Sequence, residues 1–169
     1  SSDVCSSDLK YKEINMTNVC DTCTKCCEGY LYGNIHGQKM YPGKPCYLLQ
    51  IGIGKPNGCS DYENRPIDPC VNFKCAWLMI ENMPEEFKPE NSGVIMFYRN
   101  DGYWALIKAP NNPSIQMLSW AITFARSNNQ NIVWYIDDKS WWIGSNEFCK
   151  SMEMLHESRS EEHTSELQS

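Results

Sequence analysis

The pattern of hydrophobic and polar residues differs between the two halves of the chain. In the second half, runs of β-branched and aromatic residues predict β-strands, and turn-forming residues separate these runs. The turns at residues 99–102 and 137–140 each predict a hairpin. The four predicted strands are residues 94–98, 103–107, 132–136 and 141–143.

Hydrophobic residues spaced three or four apart predict two helices in the same half. The first helix lies between the hairpins, with Asn112 as its N-cap, Pro113 in its first turn and polar residues 127–129 at its end. Its predicted hydrophobic face is Ile115, Leu118, Ile122 and Ala125. The second helix opens at Ser145, and its predicted hydrophobic face is Phe148, Met152 and Leu155. This order of elements predicts a small antiparallel sheet of two hairpins, covered by two helices.

Residues 10–80 lack such periodicity, because glycines and prolines interrupt the hydrophobic runs. A loop-rich segment of this size buries too little apolar surface to fold without covalent or metal cross-links. We therefore predict an α+β protein with two parts. Residues 10–80 form an irregular Cys-rich metal-binding module, and residues 81–158 form a small α+β companion segment.

The two ends of the chain resemble translated sequencing-adapter DNA. The strings SSDVCSSDL at residues 1–9 and RSEEHTSELQS at residues 159–169 carry this resemblance, and we exclude both from fold reasoning. The formal net charge is −6 for the whole chain and −2 for residues 10–158, which hold 14 basic and 16 acidic side chains. A near-neutral chain without a basic run argues against nucleic-acid binding.

Other classes of function lack their sequence signatures. No apolar run is long enough for a transmembrane helix, so we expect no membrane association through a spanning segment. A start at Met16 would place no signal peptide before the cysteines, and we therefore expect a cytoplasmic protein. Catalytic Ser-His-Asp order, a Walker glycine loop and His-Glu-x-x-His are all absent from the sequence, so hydrolase and nucleotide-driven chemistry have no support.

Eight cysteines fall within residues 20–75, with spacings that are typical of metal chelation. Two cysteines separated by two residues chelate one ion, because a tight turn directs both sulfurs to a common point. Thiolates are soft ligands that suit Zn²⁺ or an iron–sulfur centre such as a [4Fe–4S] cluster. Cys26 and Cys27 are adjacent, so their side chains diverge, and we expect them to serve different centres or only one of them to bind a metal. The candidate metal ligands are Cys20, Cys23, Cys26, Cys27, Cys46, Cys59, Cys70 and Cys75.

These cysteines and their neighbours resemble the CxxCxxCC-type zinc- or iron-chelating domain family, over about residues 18–78. The resemblance is carried by CDTCTKCC at 20–27, PCYLL at 45–49, GCSDYENRP at 58–66 and FKC at 73–75. It implies a bound metal, either zinc or iron–sulfur, mostly without a defined activity, and some members occur beside protein methylation chemistry. The chain departs from the family pattern at residues 65–71, where one residue is inserted and the arginine that often follows the cysteine is absent.

The cysteines leave three interpretations open. They could form four disulfides, although the two-residue spacings favour chelation and a vicinal Cys26–Cys27 bond would be strained. A metal could organise the loops of a binding or interaction module, for which a protein is the expected partner. An iron–sulfur cluster could instead transfer electrons or support a protein-modifying reaction.

Two residues outside the cysteines are candidates for supporting contacts to a metal centre. Arg65 could offset the negative charge of a thiolate centre, since four thiolates around Zn²⁺ carry a net charge of about −2, or it could form a salt bridge to Asp61 or Glu63. Tyr62 could donate a hydrogen bond to a sulfur.

The remaining candidates have simpler interpretations. Cys149 is expected to be a buried small hydrophobic residue, and His36 beside Gly37 is expected to lie in a turn. Trp141 and Trp142 are consecutive on a predicted strand and must face opposite sides of the sheet. We expect burial of both faces rather than stacking on a base or a sugar, because no basic run accompanies these aromatics.

Overall fold

The computed structural model describes Asn18 and residues 22–50, 58–137 and 139–166, with side chains described as far as residue 158. Within these residues the chain contains both helices and strands, and the predicted α+β class is confirmed. Cys20 lies outside the described residues. No helix in the described part of the chain is both long enough and apolar enough to cross a membrane.

The companion segment is built on a four-stranded sheet. Its strands follow one another in the order of the chain, and they are β3 (Val94–Arg99), β4 (Tyr103–Lys108), β5 (Asn131–Ile136) and β6 (Lys139–Ile143). Both predicted hairpins are confirmed, because β3 pairs antiparallel with β4 and β5 pairs antiparallel with β6. The prediction of an antiparallel sheet is wrong at its centre, where β4 and β5 are parallel. The helix between them returns the chain to the end of the sheet where β4 began, so β5 runs in the same direction.

Two helices of the companion segment are longer than one turn, α3 (Ile115–Ser127) and α4 (Asn146–Glu166). The N-cap of α3 is Ser114 rather than the predicted Asn112, because the Ser114 hydroxyl accepts a 3.1 Å hydrogen bond from the Met117 N–H. At the start of α4, the Ser145 hydroxyl accepts a 3.2 Å hydrogen bond from the Phe148 N–H, as predicted.

The main core lies between α3 and the sheet. Met117, Ala121 and Ala125 form the buried face of the helix. The small alanine side chains let the helix backbone approach the strands, where Val94, Met96, Trp104, Leu106 and Ile132 are buried. The predicted face was therefore displaced, since Ile115 is 82% exposed, and only Ala125 of that set is fully buried.

The aromatic pair on β6 and the following helix are less buried than predicted. Trp141 is 52% exposed, whereas Trp142 is half-buried against the ring of His156. Cys149 is half-buried rather than buried, and Leu155 is 56% exposed. The α4 helix therefore contacts the sheet at Phe148, against the Tyr103 ring, and at His156, against the Trp142 ring.

The Cys-rich module contains a small hairpin that the sequence did not predict. Its strands are β1 (Gly33–Ile35) and β2 (Gln38–Met40), and the turn between them places His36 and Gly37 at positive φ. Two consecutive residues at positive φ are the signature of the tight turn that matches the twist of a hairpin. His36 is therefore a turn residue, as predicted. Ile35 and Met40 anchor the hairpin by their burial beside Cys46.

The module and the companion segment share part of their interior. Two one-turn helices, α1 (Ala76–Met79) and α2 (Pro89–Ser92), connect the module to β3. Cys75 pairs with Phe97 of β3 in an isolated antiparallel bridge. Ile95 is fully buried in a cluster that also contains module residues, including Cys26, Tyr30, Leu31 and Phe73.

Candidate metal centres

A 3₁₀ turn at Lys25–Cys27 directs the two adjacent cysteines to different parts of the fold. A 3₁₀ helix has three residues per turn, so consecutive side chains leave its axis about 120° apart. Cys26 packs in the cluster that contains Cys75, whereas Cys27 packs in the cluster that contains Cys46. The adjacent pair therefore divides the candidate ligands between two neighbourhoods.

Four cysteines share the first neighbourhood, and we call them the Cys70 group: Cys27, Cys46, Cys59 and Cys70. The Cys46 N–H donates a hydrogen bond of 2.9 Å to the carbonyl oxygen of Cys27. Cys59 pairs with Leu49 in an antiparallel bridge, and the Leu49 N–H donates to the Cys46 carbonyl at 3.1 Å. Cys27 and Cys70 pack against the hydrophobic cluster that buries Cys46.

The Cys46 and Cys59 thiols lie close enough to influence ionisation at Cys70. Burial raises the pKa of the Cys70 thiol, and the Cys46 and Cys59 thiols raise it further. Arg65 acts in the opposite direction and lowers that pKa. A positive charge that favours the thiolate is what a centre of several negative sulfurs requires.

Arg65 is held in place by Tyr62. The guanidinium carbon of Arg65 lies 3.7 Å from the centroid of the Tyr62 ring, a close cation–π arrangement. Its Nη1 also donates a hydrogen bond of 2.5 Å to the Tyr62 carbonyl oxygen. Tyr62 thus supports the guanidinium that influences Cys70.

Cys26 and Cys75 share the second neighbourhood, and Cys23 lies near Lys88, whose ammonium group is 5.8 Å from the Trp77 ring in the same cluster. We call these three described cysteines, Cys23, Cys26 and Cys75, the Cys75 group. Cys75 is 2% exposed, and Cys26 packs against the same cluster together with Trp77. The Asn18 side-chain amide donates a hydrogen bond of 2.9 Å to the Trp77 carbonyl oxygen. This bond ties Asn18 to the same neighbourhood.

A charged pair of the companion segment contacts the Cys75 group, and the sequence did not indicate it. Burial raises the pKa of the Cys23 thiol, while backbone N–H groups of Lys25 and Glu90 hydrogen-bond to its sulfur and lower that pKa. Lys88 Nζ lies 2.6 Å from Glu90 Oε1, and Glu90 Oε2 accepts a 3.0 Å hydrogen bond from the Thr22 hydroxyl. Glu90 is therefore a contact between the two parts of the chain.

The described cysteines suit a metal site by the chemistry of their sulfur atoms. No disulfide joins any two of them, and both groups offer the soft sulfur donors that zinc and iron prefer. Within the described ranges, however, no three His, Cys, Asp or Glu side chains are arranged closely enough to hold a metal ion. The sulfurs of each group share a neighbourhood, and binding would require them to draw together to Zn–S distances of about 2.3 Å.

The chain has no match among known proteins that would identify these groups. No protein-family model, curated protein or solved structure matches it. The CxxCxxCC-type family therefore remains a resemblance that rests on the cysteine spacing and the Tyr62 and Arg65 motif.

Proposed function

We propose that this protein binds zinc or iron–sulfur through two sets of four cysteines, and that the metal organises the Cys-rich module. The Cys70 group supplies one set. The Cys75 group and Cys20, which precedes Cys23 by the chelating spacing, supply the other. The observation that carries this proposal is the separation of Cys26 from Cys27, which leaves the remaining cysteines in two groups without any ligand shared.

The small interior of the module supports an organising role for the metal. The cluster that includes the Cys70 group has three buried residues, Ile35, Met40 and Cys46. At about 2 kcal/mol for each buried side chain, a core of that size contributes only a few kcal/mol of stability. This free energy does not offset the conformational entropy that is lost when a loop-rich segment becomes ordered. Metal–thiolate bonds supply the missing free energy in modules of this kind.

The cysteines and the module also bear on the cellular compartment and on the partner. The unbridged thiols suit a reducing compartment, and we therefore propose a cytoplasmic location. A metal-organised module is suited to binding, and a protein is the proposed partner.

A redox role for an iron–sulfur cluster is the second candidate. The observation that favours it is exposure, because Cys23, Cys59 and Cys70 are half-buried rather than enclosed. Some solvent access near the sulfurs is what electron transfer to a partner requires, and exposure also sets the reduction potential of a cluster.

Metal analysis of the full chain, purified without oxygen, tests both candidates. The organising role predicts a colourless protein with two zinc ions per chain, and a chelator that removes them is expected to unfold the Cys-rich module. A brown protein with iron, sulfide and broad absorption near ~400 nm would instead support the redox role. A protein that folds cooperatively after exhaustive chelation, and that binds neither metal, would overturn both candidates.

A further inference from the structure

The two edges of the four-stranded sheet differ in what covers them. At one edge, the module lies against β3, where Cys75 pairs with Phe97 and Ile95 is buried among module residues. At the other edge, β6 pairs with β5 on one side, and no strand in the described ranges lies along its outer side. The outer side of an edge strand presents backbone N–H and C=O groups that can pair with another strand.

A groove of about 450 Å³ lies at β6, within the range of about 300–1,000 Å³ that ligand sites occupy. Trp141 lies on the side of the sheet that faces α3, because it pairs in register with Trp134 of the main core. Trp142, the next residue of the strand, lies on the opposite side against the ring of His156 in α4. Because residues from both sides of the sheet line the groove, it passes across the outer edge of β6. Its described lining residues are Lys139, Ser140, Trp141, Trp142 and His156.

Lys139 determines which charge suits this groove. It is exposed and lies two residues before Trp141, which is 52% exposed, so the two side chains share one face of β6. None of the ion pairs among the described residues involves Lys139, and the carboxylate of Asp137 accepts a hydrogen bond from Asn112. A lysine on an edge strand opposes pairing with a second copy of that strand, because the new pair would hold two lysines and no acidic residue. An acidic partner instead meets a complementary charge.

We infer that the outer edge of β6 binds an extended acidic peptide of a partner protein, which adds to the sheet as a fifth strand. Main-chain hydrogen bonds to β6 hold the peptide, and its side chains alternate between the two sides of the sheet. On one side, a carboxylate lies beside Lys139 and an apolar side chain two positions away packs on Trp141. On the other side, the peptide meets Trp142 and His156. This surface belongs to the companion segment, so the inference holds whether or not the cysteines bind a metal.

The experiment is a selection of displayed peptides on the full chain. The probe is a library of heptapeptides of valine and threonine in which two positions, two residues apart, vary. One position is glutamate, glutamine or lysine, and the other is phenylalanine, leucine or serine. We expect enrichment of glutamate together with phenylalanine or leucine. The most enriched peptide, synthesised with a fluorescent label, is then titrated with the full chain by fluorescence anisotropy. A proline at its centre should abolish binding, because proline removes a main-chain donor.

Two variants of the chain test the two contacts on the Trp141 side of β6. W141A should lower the affinity for the enriched peptide by about 10-fold or more, since it removes the exposed aromatic contact. K139E should lower it by about fivefold, and replacing the glutamate of the peptide by lysine should recover binding to K139E alone. Y32A and K108E are the matched controls, at an exposed tyrosine of the module and an exposed lysine of β4, and neither should change the affinity.

The outcomes distinguish this inference from the proposed function. A library without enriched peptides, or a peptide that binds W141A and K139E as tightly as the parent, would overturn the inference and leave the metal sites untouched. A chain that binds the peptide and no metal would refute the proposed function alone. A parent chain that sediments as a dimer and dissociates in W141A would assign the edge to a second copy, which also overturns the inference. Should W141A fail to fold, the exchange of charges between K139E and the lysine peptide decides.

Discussion

The Cys46 N–H donates a hydrogen bond to the carbonyl oxygen of Cys27, and this 2.9 Å bond holds the turn of the first cysteines against the second loop of the module. The bond places the Cys27 side chain beside Cys46. Cys26, one residue earlier, lies on the other side of the turn and packs with Cys75. Two neighbouring residues thus belong to two clusters, and their substitutions should have separable effects.

Cys26→Ser and Cys27→Ser are each expected to remove one of two metal equivalents, and not the same one. Each replaced thiolate opens a different set of four, because the two side chains lie in different clusters. Elemental analysis of the single and double variants after anaerobic purification checks this expectation. Cys27→Ser combined with Cys70→Ser should lose no more metal than either alone, whereas Cys27→Ser combined with Cys75→Ser should lose both equivalents.

The same double variants can contradict the grouping. If Cys26→Ser and Cys27→Ser combined still retained one full equivalent of metal, both residues would serve one centre. Loss of both equivalents in Cys27→Ser alone would mean that the two centres cannot fill independently.

Gly29→Ala should destabilise the module more than Gly37→Ala does. Both glycines have positive φ, +83° and +85°, so alanine costs about 1 kcal/mol of backbone conformation at either position. A Cβ on Gly29 would also lie 2.9 Å from backbone atoms of Lys44 and Pro45, whereas a Cβ on Gly37 meets nothing within 4 Å. Denaturant unfolding should show a further loss of about 1–3 kcal/mol for Gly29→Ala. Equal losses for both variants would contradict the close approach of the Cys27 turn to Lys44.

The strands were predictable from the sequence because their signals are local. Most strand and turn residues at 94–108 and 131–143 are β-branched, aromatic or turn-forming, and they specify hairpins without help from distant segments. The parallel pairing of β4 with β5 was not predictable in this way, because it depends on where the intervening helix returns the chain. The buried face of α3 differs from the predicted one for a related reason. The alanines at 121 and 125 are buried because the sheet lies close to the helix, whereas hydrophobicity alone predicts burial of the larger Ile115.

The sequence names candidate ligands but does not show what surrounds them. Cysteine spacing identifies candidate donor atoms directly, because two cysteines separated by two residues are typical of metal chelation. Lys88 and Glu90 contact Cys23 although they lie more than sixty residues away in the sequence. No local sequence pattern predicts such a contact. The β1–β2 turn did leave a signal, because His36-Gly37 is a pair that tolerates two positive φ values.

Arg65→Ala should weaken the metal of the Cys70 group and spare the other. The guanidinium lowers the pKa of the Cys70 thiol, so its removal makes the thiolate less favourable. We expect a loss of about 10-fold in zinc affinity, measured by chelator competition. Arg65→Lys should recover only part of it, because lysine keeps the charge without the planar stack on Tyr62. Arg126→Ala, at an exposed arginine of α3, is the control, and an equal effect there would refute a specific role for Arg65.

Glu28 should contribute to stability above acidic pH and lose that contribution as the pH falls. Burial alone would raise the pKa of the Glu28 carboxyl, but hydrogen bonds of 2.7 Å from Lys25 and Thr24 outweigh it and hold that pKa below its ordinary value of 4.5. A folded-state pKa below the unfolded one stabilises the fold above pH 4.5, and the stabilisation disappears as the pH falls through the folded-state pKa.

Unfolding of Glu28→Gln and of the parent, compared between pH 7 and pH 3, measures this contribution. The parent should be more stable by about 0.5 kcal/mol at neutral pH, and the difference should vanish in acid. Protonation of the thiols affects both proteins and cancels in the difference. Glu153→Gln, at an exposed glutamate of α4, should show no pH-dependent difference. A constant difference across the range would mean that Glu28 acts through packing rather than through its charge.

Ser114→Ala should cost about 1 kcal/mol of the free energy of unfolding, because it removes the hydroxyl that accepts the Met117 N–H at the start of α3. Asn112 is the informative comparison, since it lies two residues before Ser114 and its side chain is also of a type that caps helices. Its amide donates instead to the Asp137 carboxylate, 2.9 Å away and exposed to solvent. Asn112→Ala should therefore cost less than about 0.5 kcal/mol, the value of an exposed hydrogen bond. Chemical denaturation of the two variants measures the loss in the free energy of unfolding at each position. A larger loss for Asn112→Ala would indicate that Asn112, and not Ser114, caps α3.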